Sequence, residues 1–189
     1  MPEPMLISCS RCGFETSSRR IWGNFNYLMP NNTSLSIFRT SGWCRSCANI
    51  EPVEQFPDRQ KTKAEIAALE KARLPSDAPK SPKWFRWFLF SKRRAAKLRR
   101  EQAYLNREIL EKQMILRFLD LRTDSPCCLS CGSEDISIVD IPSVQAGEVV
   151  EIPFAHPDCG GMFTVRRAGV RLTMSFPLRT YTLNGKSVP

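Results

Sequence analysis

The chain has 189 residues, 42% hydrophobic and 25% charged, with a formal net charge of +9. That balance excludes a wholly disordered chain, and the length suits one sizeable domain or two small ones. The charge is uneven: residues 1–60 carry six basic and five acidic side chains, 61–122 seventeen and seven, and 123–189 five and seven.

A basic module between two near-neutral ones follows from that distribution. The start, MPEPMLISCSRCG, has no basic stretch followed by a long apolar core, so no secretory signal is expected. The longest strongly apolar cluster, WFRWFLF at 84–90, has seven residues. As a helix it would rise about 10 Å, against about 30 Å of bilayer hydrocarbon. A cytosolic chain is expected, in which thiols stay reduced and paired cysteines suggest metal rather than disulfides.

Along the chain, the first chemical signal is Cys9-Ser-Arg-Cys12-Gly13. Two intervening residues let one tight turn aim both sulfurs at one ion, and the glycine permits a left-handed backbone. Next, 21–29 and 34–40 are rich in aromatic and β-branched residues and flank the turn sequence Pro30-Asn-Asn-Thr33, which reads as a hairpin. Trp43 adjoins the second knuckle, Cys44-Arg-Ser-Cys47, and is expected to cover its metal site, with a ligand-stacking surface role as the alternative. Thirty-one residues separate the two knuckles. A solitary CxxC is equally a redox motif, but two of them joined by strand-like sequence predict a closed four-cysteine site.

The middle reads as helical. Residues 60–74 contain good helix formers with Ile66, Leu69 and Arg73 along one side, and the proline-rich 75–82 must end that helix. From Lys83 to Leu121 there is neither proline nor glycine, and Leu98, Leu105, Ile109, Leu116 and Leu119 form an amphipathic stripe. Whether the two helices form a hairpin is left open. At the start of this stretch, Trp84, Phe85, Trp87 and Phe88 crowd one end, and Lys92, Arg93, Arg94, Lys97, Arg99 and Arg100 the other. Three readings apply. The aromatics pack inward while the charges sit in water; the basic run contacts nucleic-acid phosphates; or the segment anchors to a protein partner or an anionic membrane surface.

The last third carries Cys128-Leu-Ser-Cys131-Gly132 and, 24 residues on, His156-Pro-Asp-Cys159-Gly160-Gly161. Neutral imidazole binds zinc at a reach similar to thiolate, so these four residues predict a three-cysteine, one-histidine site. An exposed surface histidine is the alternative. Cys127 is one residue out of register and is the spare thiol, able to replace Cys128 or to stay free. Strands are expected at 135–141 and 149–154, joined across 142–148, and at 162–167 and 170–176, with a last one near 178–186 ending at Asn184-Gly185.

The four knuckles with their strands resemble the zinc-ribbon superfamily over about 1–58 and 123–185. That resemblance implies two Zn2+ ions, each held between knuckles at the tips of β-hairpins, and leaves function open. The segment SPCCLSC is superficially similar to half of a zinc-deaminase motif, but the required upstream His-x-Glu is missing. With the single histidine given to metal, none remains to activate a nucleophile. The expected object is an α+β protein: a four-cysteine ribbon at 1–58, a basic helical segment at 59–122 and a three-cysteine, one-histidine ribbon at 123–189. A non-catalytic zinc-binding module associated with nucleic acid is expected, and the aromatic/basic helix 84–100 docking on a partner or membrane is the alternative.

Overall fold

A computed structural model describes residues 3–73, 92–169 and 176–188. Its class is α+β, with eleven strands and two α-helices among the described residues. The chain divides into two compact units, one built from 1–56 together with 122–189, the other from 57–121.

The first unit contains β1 (Met5–Cys9), β2 (Glu15–Ser17), β3 (Asn24–Leu28), β4 (Ser34–Ser36), β5 (Arg39–Cys44) and β6 (Asn49–Glu54). From the other end of the chain come β7 (Ile136–Ile138), β8 (Val149–Ala155), β9 (Met162–Arg167), β10 (Leu178–Tyr181) and β11 (Ser187–Val188). They form three small sheets, ordered β2-β1-β9-β8, β11-β10-β3-β4 and β6-β5-β7. Every sheet therefore mixes strands from both ends. β1 runs antiparallel to β9, β5 antiparallel to β7, and β3 parallel to β10.

This pairing corrects the domain boundaries expected from the sequence. The segments 1–58 and 123–189 are not separate ribbons but one interleaved unit, because their strands complete each other's ladders. The hairpin expected at 21–40 is present as β3–β4, turning through Asn32 in the left-handed region at φ 59°. β7 and β8 do not pair across 142–148; β7 joins β5 and β8 joins β9. The strand expected at 170–176 lies largely outside the described residues. The core shared by the two ends includes Ile7, Trp43, Ile50, Ile152, Phe163 and Val165, all at most 1% exposed. Burying side chains of this size stabilises the fold by about 1.5–3 kcal/mol each.

The second unit contains α1 (Arg59–Ala72) and α2 (Lys92–Leu121). Asp58 caps α1, its side chain accepting from the Lys61 N–H at 2.6 Å. The two helices pack as an antiparallel pair: Arg59 bonds the Leu119 carbonyl and pairs with Asp120, while Glu65 pairs with Lys112. This resolves the arrangement that the sequence left open. The expected stripe on α2 is the less exposed face, with Ile109 buried and Leu98, Leu105, Leu116 and Leu119 partly so. Among the described residues, no helix is long and apolar enough to cross a membrane.

Candidate metal centres

The four knuckles share much of one local design; three adjoin a strand end, at Cys9, Cys44 and His156, while Cys128 sits in an isolated bridge to Val53. In three of them the first ligand's N–H bonds the carbonyl five residues on: Cys9 to Phe14 at 2.9 Å, Cys128 to Ser133 at 2.8 Å and His156 to Gly161 at 2.7 Å. In the other, Cys44 sits opposite Asn49 at the end of the β5–β6 ladder. The residue after the second ligand turns left-handed: Gly13 at φ 72°, Gly132 at 78°, Gly160 at 70° and, without glycine's freedom, Ala48 at 47°. In every knuckle the first ligand is buried and the second lies closer to solvent.

The knuckles meet in two groups, Cys9, Cys12, His156 and Cys159, and Cys44, Cys47, Cys128 and Cys131. Within each, the ligand atoms all lie within 4.8 Å of one another. In the first group Cys9 Sγ is 3.4 Å from Cys159 Sγ, and His156 Nδ1 is 3.2 Å from Cys12 Sγ and 3.1 Å from Cys159 Sγ. In the second, Cys44 and Cys131 sulfurs are 3.5 Å apart and those of Cys47 and Cys128 4.0 Å. A tetrahedral ion with bonds of about 2.3 Å to sulfur separates its donors by about 3.8 Å, so both groups fit one ion each. None of the eight cysteines is in a disulfide.

All eight expected ligands are thus brought together, but in other partnerships. The sequence reading joined Cys9 and Cys12 to Cys44 and Cys47, and Cys128 and Cys131 to His156 and Cys159. The fold instead joins first knuckle to fourth and second to third. The cause is strand pairing: β1 against β9 sets Cys9 opposite Phe163, and β5 against β7 sets Cys44 opposite Ile136. A bridge between Val53 and Cys128 adds to the second placement. The arrangement is nested, with the inner four-cysteine group inside the chain loop that the outer group closes. The outer knuckles pack tightly, since a Cβ on Gly161 would stand 2.7 Å from Cys9 Sγ and 2.6 Å from Arg11 Cβ.

The sulfurs feel competing influences. Burial raises the Cys9 thiol, but N–H donors at Arg11 and Cys12 and the sulfurs of Cys159 and Cys12 bring it down to about 6. Cys128 is pushed up to about 12, mainly by burial, and burial also raises Cys47. A bound cation favours the thiolate form at every one of these positions.

His156 is 4% exposed and enclosed by aromatic rings, with Trp43, Phe14 and Phe163 centroids at 4.9, 5.1 and 5.2 Å. Its Nε2 is buried without a hydrogen-bond partner among the described residues, 3.6 Å from an Asp158 carboxylate oxygen. The exposed-histidine alternative is excluded by this burial. Trp43, expected to cover the centre beside Cys44, packs instead on the histidine of the other centre. Phe14 and Phe163 were missed as site residues, although each follows a knuckle at short range in the sequence. Cys127 belongs to neither group. It is a buried thiol pushed up to about 11 by burial and by the Glu54 carboxylate.

Of the expected basic contacts, Lys97, Arg99 and Arg100 are exposed on α2. Lys92, Arg93 and Arg94 begin that helix, with side chains outside the described set, and Trp84, Phe85, Trp87 and Phe88 lie outside the described residues. No protein-family model, no curated protein and no solved structure matches this chain.

Proposed function

We propose that the protein is a non-catalytic module of zinc-ribbon type, held together by two Zn2+ ions, that binds nucleic acid through its helical unit. The observation that carries this reading is the partition of charge between the units. Residues 57–121 hold seventeen basic and eight acidic side chains, and the rest of the chain holds eleven of each. The whole net charge of +9 therefore belongs to the helical unit. Such a concentration suits a phosphate backbone, whose released counterions supply salt-dependent affinity.

Zinc is the ion best suited to donor sets of four thiolates, or three thiolates and an imidazole, at tetrahedral spacing. Four protein donors leave no open coordination position, which supports a structural rather than a catalytic role. Thiolate ligands also suit a reducing, cytoplasmic setting.

The test is binding of the zinc-loaded protein to a duplex oligonucleotide and to anionic liposomes across a salt series. The reading expects duplex binding whose log–log salt slope falls by about 0.9 for each phosphate contact removed. Changing Lys92, Arg93, Arg94, Lys97, Arg99 and Arg100 to glutamine should flatten that slope. Binding to liposomes alone would favour the membrane-surface alternative, and no effect of the six changes would exclude this segment as the contact.

A further inference from the structure

Trp43 belongs to the framework of both centres. Its backbone lies in β5, one residue from the ligand Cys44 and opposite Ile50 of β6 and Ser137 of β7. Those strands bring the inner knuckles together. Its indole, however, packs edge-on against the imidazole of the outer ligand His156, with centroids 4.9 Å apart and planes at 78°.

The orientation of that imidazole depends on its walls. Nε2 has no hydrogen bond among the described residues, Asp158 being 3.6 Å away. A metal-binding imidazole ordinarily has its second nitrogen fixed by such a bond, which sets the ring plane. Here aromatic contacts supply the constraint. Phe14 and Phe163 come from the outer knuckles' own surroundings, and the third wall, Trp43, comes from the inner sheet.

Resting on the reading of both groups as zinc sites, we propose that metal in the inner centre raises the affinity of the outer centre, with Trp43 as the coupling residue. With Cys44, Cys47, Cys128 and Cys131 joined through one ion, β5 and β7 are pinned and the indole is held against His156. Without that ion the end of β5 loses its tie, and the imidazole loses the wall that aims Nδ1 at the outer thiolates. Coupling between two sites is reciprocal, so outer metal raises inner affinity by the same factor. Nesting acts in the same direction, because closing the inner loop shortens the segment that the outer site must close.

Native mass spectrometry of the full chain, stripped and then titrated with Zn2+ against a competing chelator, measures this directly. The wild-type chain should pass from no zinc to two with a singly loaded fraction well below that of two equal, independent sites. Cys44→Ser should weaken the outer centre by about tenfold, within the usual range for coupled sites. Trp43→Leu should leave two zincs bound at saturation but make the singly loaded species abundant. Adding Trp43→Leu to Cys44→Ser should change outer affinity little further, because both act through one contact. Trp43→Phe keeps an aromatic wall and should retain most of the coupling, which provides a reading if the leucine variant does not fold. Unchanged outer affinity in Cys44→Ser, or effects that simply multiply in the double variant, would overturn the coupling. A wild-type chain that takes up two zincs independently contradicts the coupling alone; one that takes up none contradicts the metal reading itself.

Discussion

Arg122 donates from Nη2 to Glu54 Oε2 at 2.7 Å, with both side chains at most 1% exposed and 68 positions apart in sequence. The pair is well satisfied. Glu54 also accepts from the Tyr27 hydroxyl at 2.5 Å and the Cys127 N–H at 2.9 Å. Arg122 further donates to the carbonyls of Asp124, Ser125 and Leu183. A buried charge pair with all its bonds made is tolerated, but removing one member leaves the other uncompensated. Arg122→Met should therefore destabilise the zinc-loaded protein by about 3–5 kcal/mol in urea unfolding. Adding Glu54→Gln should recover part of that loss; strictly additive losses would show that the two side chains act separately.

Tyr27 extends the same network to alkaline pH. Burial first, then the hydrogen bond and charge of Glu54, hold its phenol well above the ordinary value of 10.0. A folded value above the unfolded one means that the folded state keeps the proton longer. The contribution is thus complete below about pH 10 and declines as pH rises above it. Tyr27→Phe should cost about 1–3 kcal/mol at pH 8 and make the alkaline loss shallower. Parallel pH curves for the two proteins would contradict this.

The knuckles make a backbone prediction. Ala48 occupies the left-handed position that glycine holds in the other three, at a cost of about 1–2 kcal/mol for a side chain there. Ala48→Gly should be neutral or stabilise by up to about 1 kcal/mol, whereas Gly160→Ala should destabilise by about 1–2 kcal/mol. Gly161→Ala should be worse, because its Cβ meets the Cys9 sulfur and the Arg11 backbone. Chelator competition and thermal unfolding, read together, check all three. Equal tolerance at positions 160 and 161 would contradict the close packing of the outer knuckles.

The two chain ends form a unit of their own, and the insertion point is narrow. Arg122 Cζ lies 5.3 Å from the centre of the Phe56 ring, so the residues on either side of 57–121 are neighbours. Replacing 57–121 with a short Gly/Ser linker should leave a chain that binds two zincs and keeps its β-rich circular dichroism. Loss of both metals in that chain would show that the helical unit is needed to bring the ends together.

Much of the local structure was legible. The CxxC and HxxC spacings picked out all eight residues that the fold gathers into two groups able to hold a metal ion, because the chemistry of a knuckle is contained within four residues. The 3.6-residue stripe on α2 and the β3–β4 turn were likewise local. Which knuckle meets which was not legible. Four near-equivalent turns can pair in several ways, and proximity in sequence favoured Cys12 with Cys44. The deciding contacts are the ladders between β1 and β9 and between β5 and β7, whose paired residues lie about half the chain or more apart and carry no register signal of their own. Trp43 misled for the same reason: adjacency to Cys44 fixes its backbone, while strand alternation sends its indole to His156. The Glu54–Arg122 pair left no trace, since single charged residues at a segment boundary read as surface.

The nested pairing of the knuckles is the central claim, and paired cysteine substitutions test it most directly. Metal content per chain is measured for Cys9→Ser/Cys159→Ser and for Cys9→Ser/Cys44→Ser, each after saturation with zinc and removal of excess. Nested pairing places both changes of the first variant in one centre, so that chain should hold one zinc. The second variant loses a ligand from each centre and should hold none tightly. The reverse result, no tightly held zinc in the first variant and one in the second, would contradict the fold's pairing and restore a separate metal site at each end of the chain.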